Sequence, residues 1–452
     1  MEFCGVTFGS RLLSVCVVAG LVGAVGHAFA QEAEILRPTL DGEAVTDDQA
    51  TATPSQLTIT PEVDPQIPSP RRVKSINPYA PLGIDLGGIK LFPSLQVDSV
   101  YSSNATQASS NRPSTAGLHL KPTLRFESDW VRHSWTGQAS GDITAYLKKD
   151  VASTKSIDLS NKFILDIRHD THAEFDASYR LSQVGSEDSE VPSTAIGDRT
   201  DHTLIVDATI AHDYGPLTGS LKLGLTREIF EDVKLLGGGT EDNADRNNFT
   251  PSVGLRLAYT DPPALKPFID VTYAPRFHDQ KLDRNGLNRD SNGITASVGA
   301  MLDRSPIWSG EAALVYTLRD YRDSALATNS AFGINGNLTW KPTDLTSVAL
   351  TLATGLTETS SATSSGSKNY SGRVDVTHAL RDNVNLLAGI GVALEDGSAG
   401  TDKTLSSKLG VEWQINPDMA WAASYDGTWF KSATPASDYN EQRISAGITL
   451  RR

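Results

Sequence analysis

Ala116-Gly117-Leu118-His119-Leu120-Lys121-Pro122-Thr123-Leu124-Arg125-Phe126-Glu127 decides the fold. Ala116, Leu118, Leu120, Pro122, Leu124 and Phe126 alternate with Gly117, His119, Lys121, Thr123, Arg125 and Glu127. Successive side chains of an extended chain point to opposite faces, so this period of two sets an apolar face against a polar one. Helical spacing does not fit it. The same alternation recurs in Ile157, Leu159, Asn161, Phe163, Leu165 and Ile167, and again in Ala173, Phe175, Ala177, Tyr179 and Leu181. Full charges occupy the polar face in mid-strand.

Alternation alone is shared by a soluble β-sandwich and a membrane barrel; strand length and loop pattern separate them. About eighteen strand-like segments begin near residues 89, 115, 132, 156, 171, 202, 217, 251, 267, 293, 307, 329, 345, 370, 384, 404, 419 and 441. Most run ~10 to 14 residues, where globular strands run ~5 or 6 and a tilted strand crossing lipid needs ~9 to 11. The links alternate as well. Long polar ones lie near 102–114, 148–155, 185–201, 231–248, 279–292, 322–328, 360–368, 396–402 and 432–438, with tight ones between them. This sorting predicts an all-β, transmembrane, antiparallel up-and-down barrel of 16–18 strands over residues 84–452, with long loops at one rim and turns at the other. With an even strand count both termini fall on the turn side.

Upstream, Arg11 precedes an apolar run from Leu12 to Val25, and Ala28-Phe29-Ala30 offers a signal peptidase site. Residues 1–30 read as a signal peptide cut before Gln31. Its removal takes both cysteines, Cys4 and Cys16, and leaves the net charge at −14 because Glu2 and Arg11 cancel. Without thiols the exported chain can hold no disulfide or thiolate metal site, and its acidity argues against nucleic acid. Residues 31–83 carry eight prolines and no aromatic before Tyr79, a composition that reads as a disordered periplasmic segment. Arg71-Arg72-Val73-Lys74 near its end reads as a solvated charge cluster.

Aromatic residues gather at two levels. Trp130, Tyr214, Tyr259, Trp308, Trp340, Trp413 and Trp421 lie by the tight links, and Phe249, Phe277, Tyr321, Tyr370, Phe430 and Tyr439 toward the long ones, as interfacial girdles would. The approach Asn77-Pro78-Tyr79-Ala80-Pro81-Leu82-Gly83, the first strand Leu91-Phe92-Pro93-Ser94-Leu95 and its ending Tyr101-Ser102-Ser103-Asn104 resemble the outer-membrane β-barrel porin family of alphaproteobacteria (β-barrel porin 2 type) from about residue 75 to the end. The resemblance implies an outer-membrane barrel with a porin-like role and no assigned substrate. It also implies contact with lipid, lipopolysaccharide and the barrel assembly machinery. One departure is the C-terminus: such barrels commonly end on an aromatic residue that the machinery recognises, whereas here Ile444, Ala446, Ile448 and Leu450 lead to Arg451-Arg452.

The lumen is then the informative surface. The period places Lys121, Arg125, Glu127, Asp142, Asp166, Arg168, Glu174, Arg180, Asp207, Lys222, Arg256, Arg276, Arg319, Arg373, Asp375, Glu412 and Asp426 facing inward, with the two signs nearly balanced. Cross-strand pairing that stiffens the wall is the first expectation, and weak charge selectivity follows. Surplus acid falls in loops: Glu187, Asp188 and Glu190; Glu241, Asp242 and Asp245; Asp283 with Asp290. None has calcium-loop spacing. Gly237-Gly238-Gly239 lacks the residues of a phosphate cradle and reads as a flexible tip, and no Gly-x-Ser-x-Gly or His-Glu-x-x-His occurs. No enzyme, metal or cofactor is expected. Three readings stay open: a diffusion channel for small hydrophilic solutes, a conduit for a secreted polysaccharide, and a structural or adhesive β protein without a pore. A homo-oligomer is compatible with each.

Overall fold

In the computed structural model, which describes residues 77–149, 151–185, 190–192, 194–261, 264–302, 307–361, 364–434 and 437–452, eighteen antiparallel strands close into one barrel. They are β1 (Ile89–Ser102), β2 (Thr115–Ser128), β3 (Ser134–Tyr146), β4 (Thr154–Arg168), β5 (Thr171–Val184), β6 (Arg199–Tyr214), β7 (Leu217–Phe230), β8 (Asn248–Tyr259), β9 (Lys266–His278), β10 (Ser291–Leu302), β11 (Trp308–Tyr321), β12 (Asn329–Thr343), β13 (Thr346–Thr357), β14 (Ser367–Arg381), β15 (Val384–Gly397), β16 (Gly400–Asn416), β17 (Met419–Lys431) and β18 (Tyr439–Arg451). Each pairs with its sequence neighbours, and β18 returns to β1 with Ile448 opposite Val97. At 12 to 17 residues the strands exceed the ~9 to 11 that hydrocarbon requires, so both ends project into polar surroundings.

Neighbouring residues report opposite solvents. On β8, Leu255 is 62% exposed while Arg256 is 5% exposed. The apolar half of the wall therefore has no protein to pack on and faces outward, whereas the charged half faces a lumen. Trp308 and Trp340 stack at 5.6 Å on the turn side, with Tyr214, Tyr259 and Trp413 also exposed at that level. At the other level Phe249 and Phe277 point outward, but Tyr321, Phe430 and Tyr439 do not. They share parity with inward Arg319, Asp426 and Glu441, and so they leave the expected girdle for the lumen.

The tight turns include His169-Asp170, Gly215-Pro216, Asp382-Asn383 and Pro417-Asp418. All the register shifts along paired strands fall beside such turns, at Asp166/Arg168, Trp340/Thr343, Ala379/Arg381 and Gln414/Asn416. One expected long link contracts. Residues 396–402 form a hairpin whose turn is only Ser398-Ala399, with Gly397 paired to Gly400 and Gly400 at φ 122°. Polar residues there continue the ladder because, beyond the hydrocarbon, both faces of a strand tolerate water.

The described residues begin at Asn77, so the last seven residues of the proline-rich segment, 77–83, have defined positions. The backbone oxygen of Tyr79 accepts a bond from Arg451 Nη2 at 3.0 Å, and Ile84–Asp85 pairs with Leu91 and Lys90 along the edge of β1 that β18 leaves uncovered. Arg451 is inward and buried, and it also lies 4.0 Å from Glu412, so this side chain ties β18 to the approach at Tyr79. The expected signal peptide of residues 1–30, residues 31–76 with Arg71-Arg72-Val73-Lys74, and Glu187 and Asp188 lie outside the described residues.

Candidate functional site: the lumen

The inward faces enclose a cavity of about 1690 Å³, and Lys121, Asp142, Arg180, Asp207, Lys222, Arg256, Arg276 and Arg319 line it. Opposite charges from different strands meet there. Arg180 lies 2.6 Å from Asp158, Lys222 lies 3.0 Å from Asp207, and Arg256 lies 2.6 Å from Glu311 with its guanidinium 3.6 Å above the Phe268 ring. Desolvated charges need such partners, since an isolated ion loses hydration it cannot recover. Glu174 is buried against Lys162 at 2.5 Å, with Asp176 beside it on the same face. His119 bridges two carboxylates, Nδ1 to Asp98 at 3.0 Å and Nε2 to Asp142 at 2.8 Å.

The other expected wall residues fall outside the lining of that cavity. Arg373 and Asp375 pair at 2.8 Å along β14, and a Cβ at Gly389 would come 2.6 Å from the Asp375 carboxylate, so glycine on β15 leaves the pair room to lie flat. Asp426 is 3.8 Å from Lys408, and Glu412 faces Arg451. Arg125 and Glu127 are half exposed, 3.6 Å apart, with Arg125 above Phe92. Asp166 ends the regular part of β4, and Arg168 lies beyond a register shift, exposed at the turn.

The loop between β13 and β14 folds into the lumen. Glu358, its first residue, is held by Arg276 at 3.0 Å, by His278 at 3.3 Å and by Arg319 at 3.9 Å. Burial pushes its carboxyl up, but Arg276 and its companions outweigh that and hold it well below the usual range. The next residues reach the opposite side. Glu190, in the β5–β6 loop, accepts bonds from Thr359 Oγ1 at 2.5 Å, Ser360 N at 2.9 Å and Ser360 Oγ at 2.6 Å. Burial raises the Glu190 carboxyl, whereas Arg246, 3.7 Å away, and these donors pull it down, and the net shift is downward. Arg289 donates to the Ser361 and Ser364 carbonyls, and Tyr321 donates to the Ser365 carbonyl.

The loop acids are largely claimed by arginine. Arg284 binds Asp245 at 2.8 Å and Glu241 at 2.5 Å, and Arg289 binds Asp283 at 2.6 Å. Among the described residues no group of three potential metal ligands forms. Gly237, Gly238 and Gly239, all at positive φ, make the tip of a small hairpin between Val233–Lys234 and Thr240–Glu241.

Sequence reasoning reads Glu190 only as surplus loop acid and misses Arg289 and Glu358, because a polar loop carries no period from which to read its direction. It also missed the lumenal position of Tyr321 and Tyr439, for which strand parity was an available signal.

The family described as "Putative beta-barrel porin 2" matches residues 77–452. The chain belongs to that family. This porin therefore has an outer-membrane barrel fold and location, with a transport role of the porin type. No curated protein matches it. Among solved structures it is similar to the outer membrane protein OpdK from Pseudomonas aeruginosa, at 11% identity and TM-score 0.39 over 80% of this chain and 99% of that one. It is also similar to OmpF of Salmonella typhi in complex with daunomycin, at 13% identity and TM-score 0.37 over 82% and 100%. A third is the siderophore receptor PirA from Acinetobacter baumannii, at 9% identity and TM-score 0.40 over 80% of each chain.

Proposed function

We propose that this porin is a passive, non-enzymatic channel for small hydrophilic solutes, with weak charge selectivity. The observation that carries the reading is the large polar cavity inside a closed wall where opposite charges from different strands pair, as Arg180 with Asp158, Lys222 with Asp207 and Arg256 with Glu311. An eighteen-stranded wall leaves more cross-section than its own side chains fill, and hydration of the interior lowers the barrier for a polar solute. Paired charges supply polarity with little net field. Carboxylates outnumber Lys and Arg among the lining residues, so the weak preference is for cations. The inward β13–β14 loop narrows the passage and sets a size limit. The wall contacts lipid and, at the long-loop rim, lipopolysaccharide; the barrel machinery inserts it with its N-terminal segment on the periplasmic side.

Planar-bilayer recording on the refolded full chain tests the reading. Stepwise open-channel current, with a small reversal-potential shift in a salt gradient toward cation preference, is expected. A folded barrel that carries no current would overturn it.

A further inference from the structure

On β16–β18 the lumen wall changes character. Phe430 and Tyr439, directly opposite one another on β17 and β18, stack with centroids 4.9 Å apart and an interplanar angle of 26°, and both line the cavity. Asp402 flanks the rings from β16 and Glu441 from β18. Neither carboxylate has an ion-pair partner among the described residues. Asp402 accepts from Ser432 Oγ at 2.9 Å and Ala433 N at 2.6 Å. Glu441 accepts from Ser102 Oγ at 2.6 Å and Gln107 Nε2 at 3.0 Å. Arg443, the next inward residue on β18, turns to Thr144 Oγ1 instead. Gln107 also accepts from the Tyr439 hydroxyl at 3.0 Å, so one side chain fixes ring and carboxylate together.

We propose that this patch is a binding site for cationic organic solutes, amines above all, in transit through the barrel. The proposal rests on the channel reading and names its favoured solute class. Neutral donors orient the two carboxylates without cancelling their charge, so a positive charge arriving from solution has the first claim on them. The ring faces add cation–π attraction and cover for the methylene groups of an alkylamine. An anionic solute meets two like charges, and a neutral sugar gains only the ring contact. A small metal ion would use the carboxylates but not the rings.

Isothermal titration of the detergent-refolded full chain with spermidine measures the site whether or not the barrel conducts, and heat-modifiable gel mobility confirms the fold of each variant. Binding is expected for spermidine and not for succinate or lactose. It should weaken about tenfold or more in the double variant Asp402→Asn/Glu441→Gln and severalfold in Phe430→Leu, which keeps an apolar side chain but removes the ring. No spermidine binding overturns the proposal. So does binding that survives the double variant, and so does binding that Phe430→Leu leaves unchanged, which would mark a diffuse acidic attraction. Current without spermidine binding removes only this site; spermidine binding without current leaves the site and removes the channel reading.

Discussion

The β7–β11 wall and the β16–β18 wall are built on the same alternation, and from outside they are equivalent. Inside they differ in what holds the charge. On β7–β11 an arginine or lysine meets a carboxylate, as Arg256 meets Glu311 and Arg276 meets Glu358. Along β16–β18 at cavity level, Asp402 and Glu441 rest on hydroxyl, amide and backbone donors. A salt-bridged wall is rigid and nearly silent electrically, whereas a wall of oriented but uncompensated acid keeps its field for whatever passes. Strand parity places a residue on the inside, and only the neighbour's chemistry decides which of these it becomes.

The sharpest way to break the contrast is Glu358→Ala. Removing a buried carboxylate leaves Arg276 and Arg319 with only Glu228, 3.9 Å from Arg276, as counter-charge, at a cost of about 3 to 5 kcal/mol to the loop anchor. Limited proteolysis in detergent should then cut within 358–366, and single-channel current should rise; unchanged resistance and current would show that Glu358 is not the anchor. Next in size, the outer faces must behave alike whatever lies behind them. Leu255→Arg on β8 and Leu409→Arg on β16 should each cost ~2 to 4 kcal/mol in urea unfolding from lipid vesicles, and inward Thr226→Arg far less. Equal tolerance at all three positions would reject the assignment of faces.

A third test is acid. Glu358 and Glu190 both titrate lower in the folded chain than the ordinary value of 4.5. Their ties are therefore complete above that value and weaken as pH falls through the lower folded values. Loop cleavage by an acid-active protease should increase only on the acid side, and a change between pH 6 and 8 would point to another group. The smallest expected effect is Glu441→Gln, which keeps its shape and its hydroxyl and amide neighbours. Unfolding free energy should shift by less than ~1 kcal/mol, and a larger loss would mean that this wall, too, depends on its charge for stability.

Much of the barrel could be read directly from residue order. Ile157 to Ile167 and Ala173 to Leu181 announce β4 and β5, because hydrocarbon outside and water inside leave no other arrangement of a period-two strand. What escaped did so for separate reasons. Glu358-Thr359-Ser360-Ser361 reads as an ordinary polar link, since nothing in its composition distinguishes a loop facing solution from one reaching Glu190 across the lumen. Residues 396–402 were polar enough to pass for a long loop, yet two glycines were enough to close them into a tight hairpin. Tyr321 and Tyr439 lie inward because strand parity, not aromatic type, sets which face a strand residue takes.

The pairing of β18 with β1 has a consequence for how the molecule comes into being. The two borders that must join are contributed by the first and the last strand of the barrel, some three hundred and fifty positions apart. No shorter intermediate can satisfy both, so a partly assembled sheet carries raw, adhesive margins until the thirteen residues of β18 arrive. A truncation of even those few leaves an unzipped cylinder rather than a smaller one.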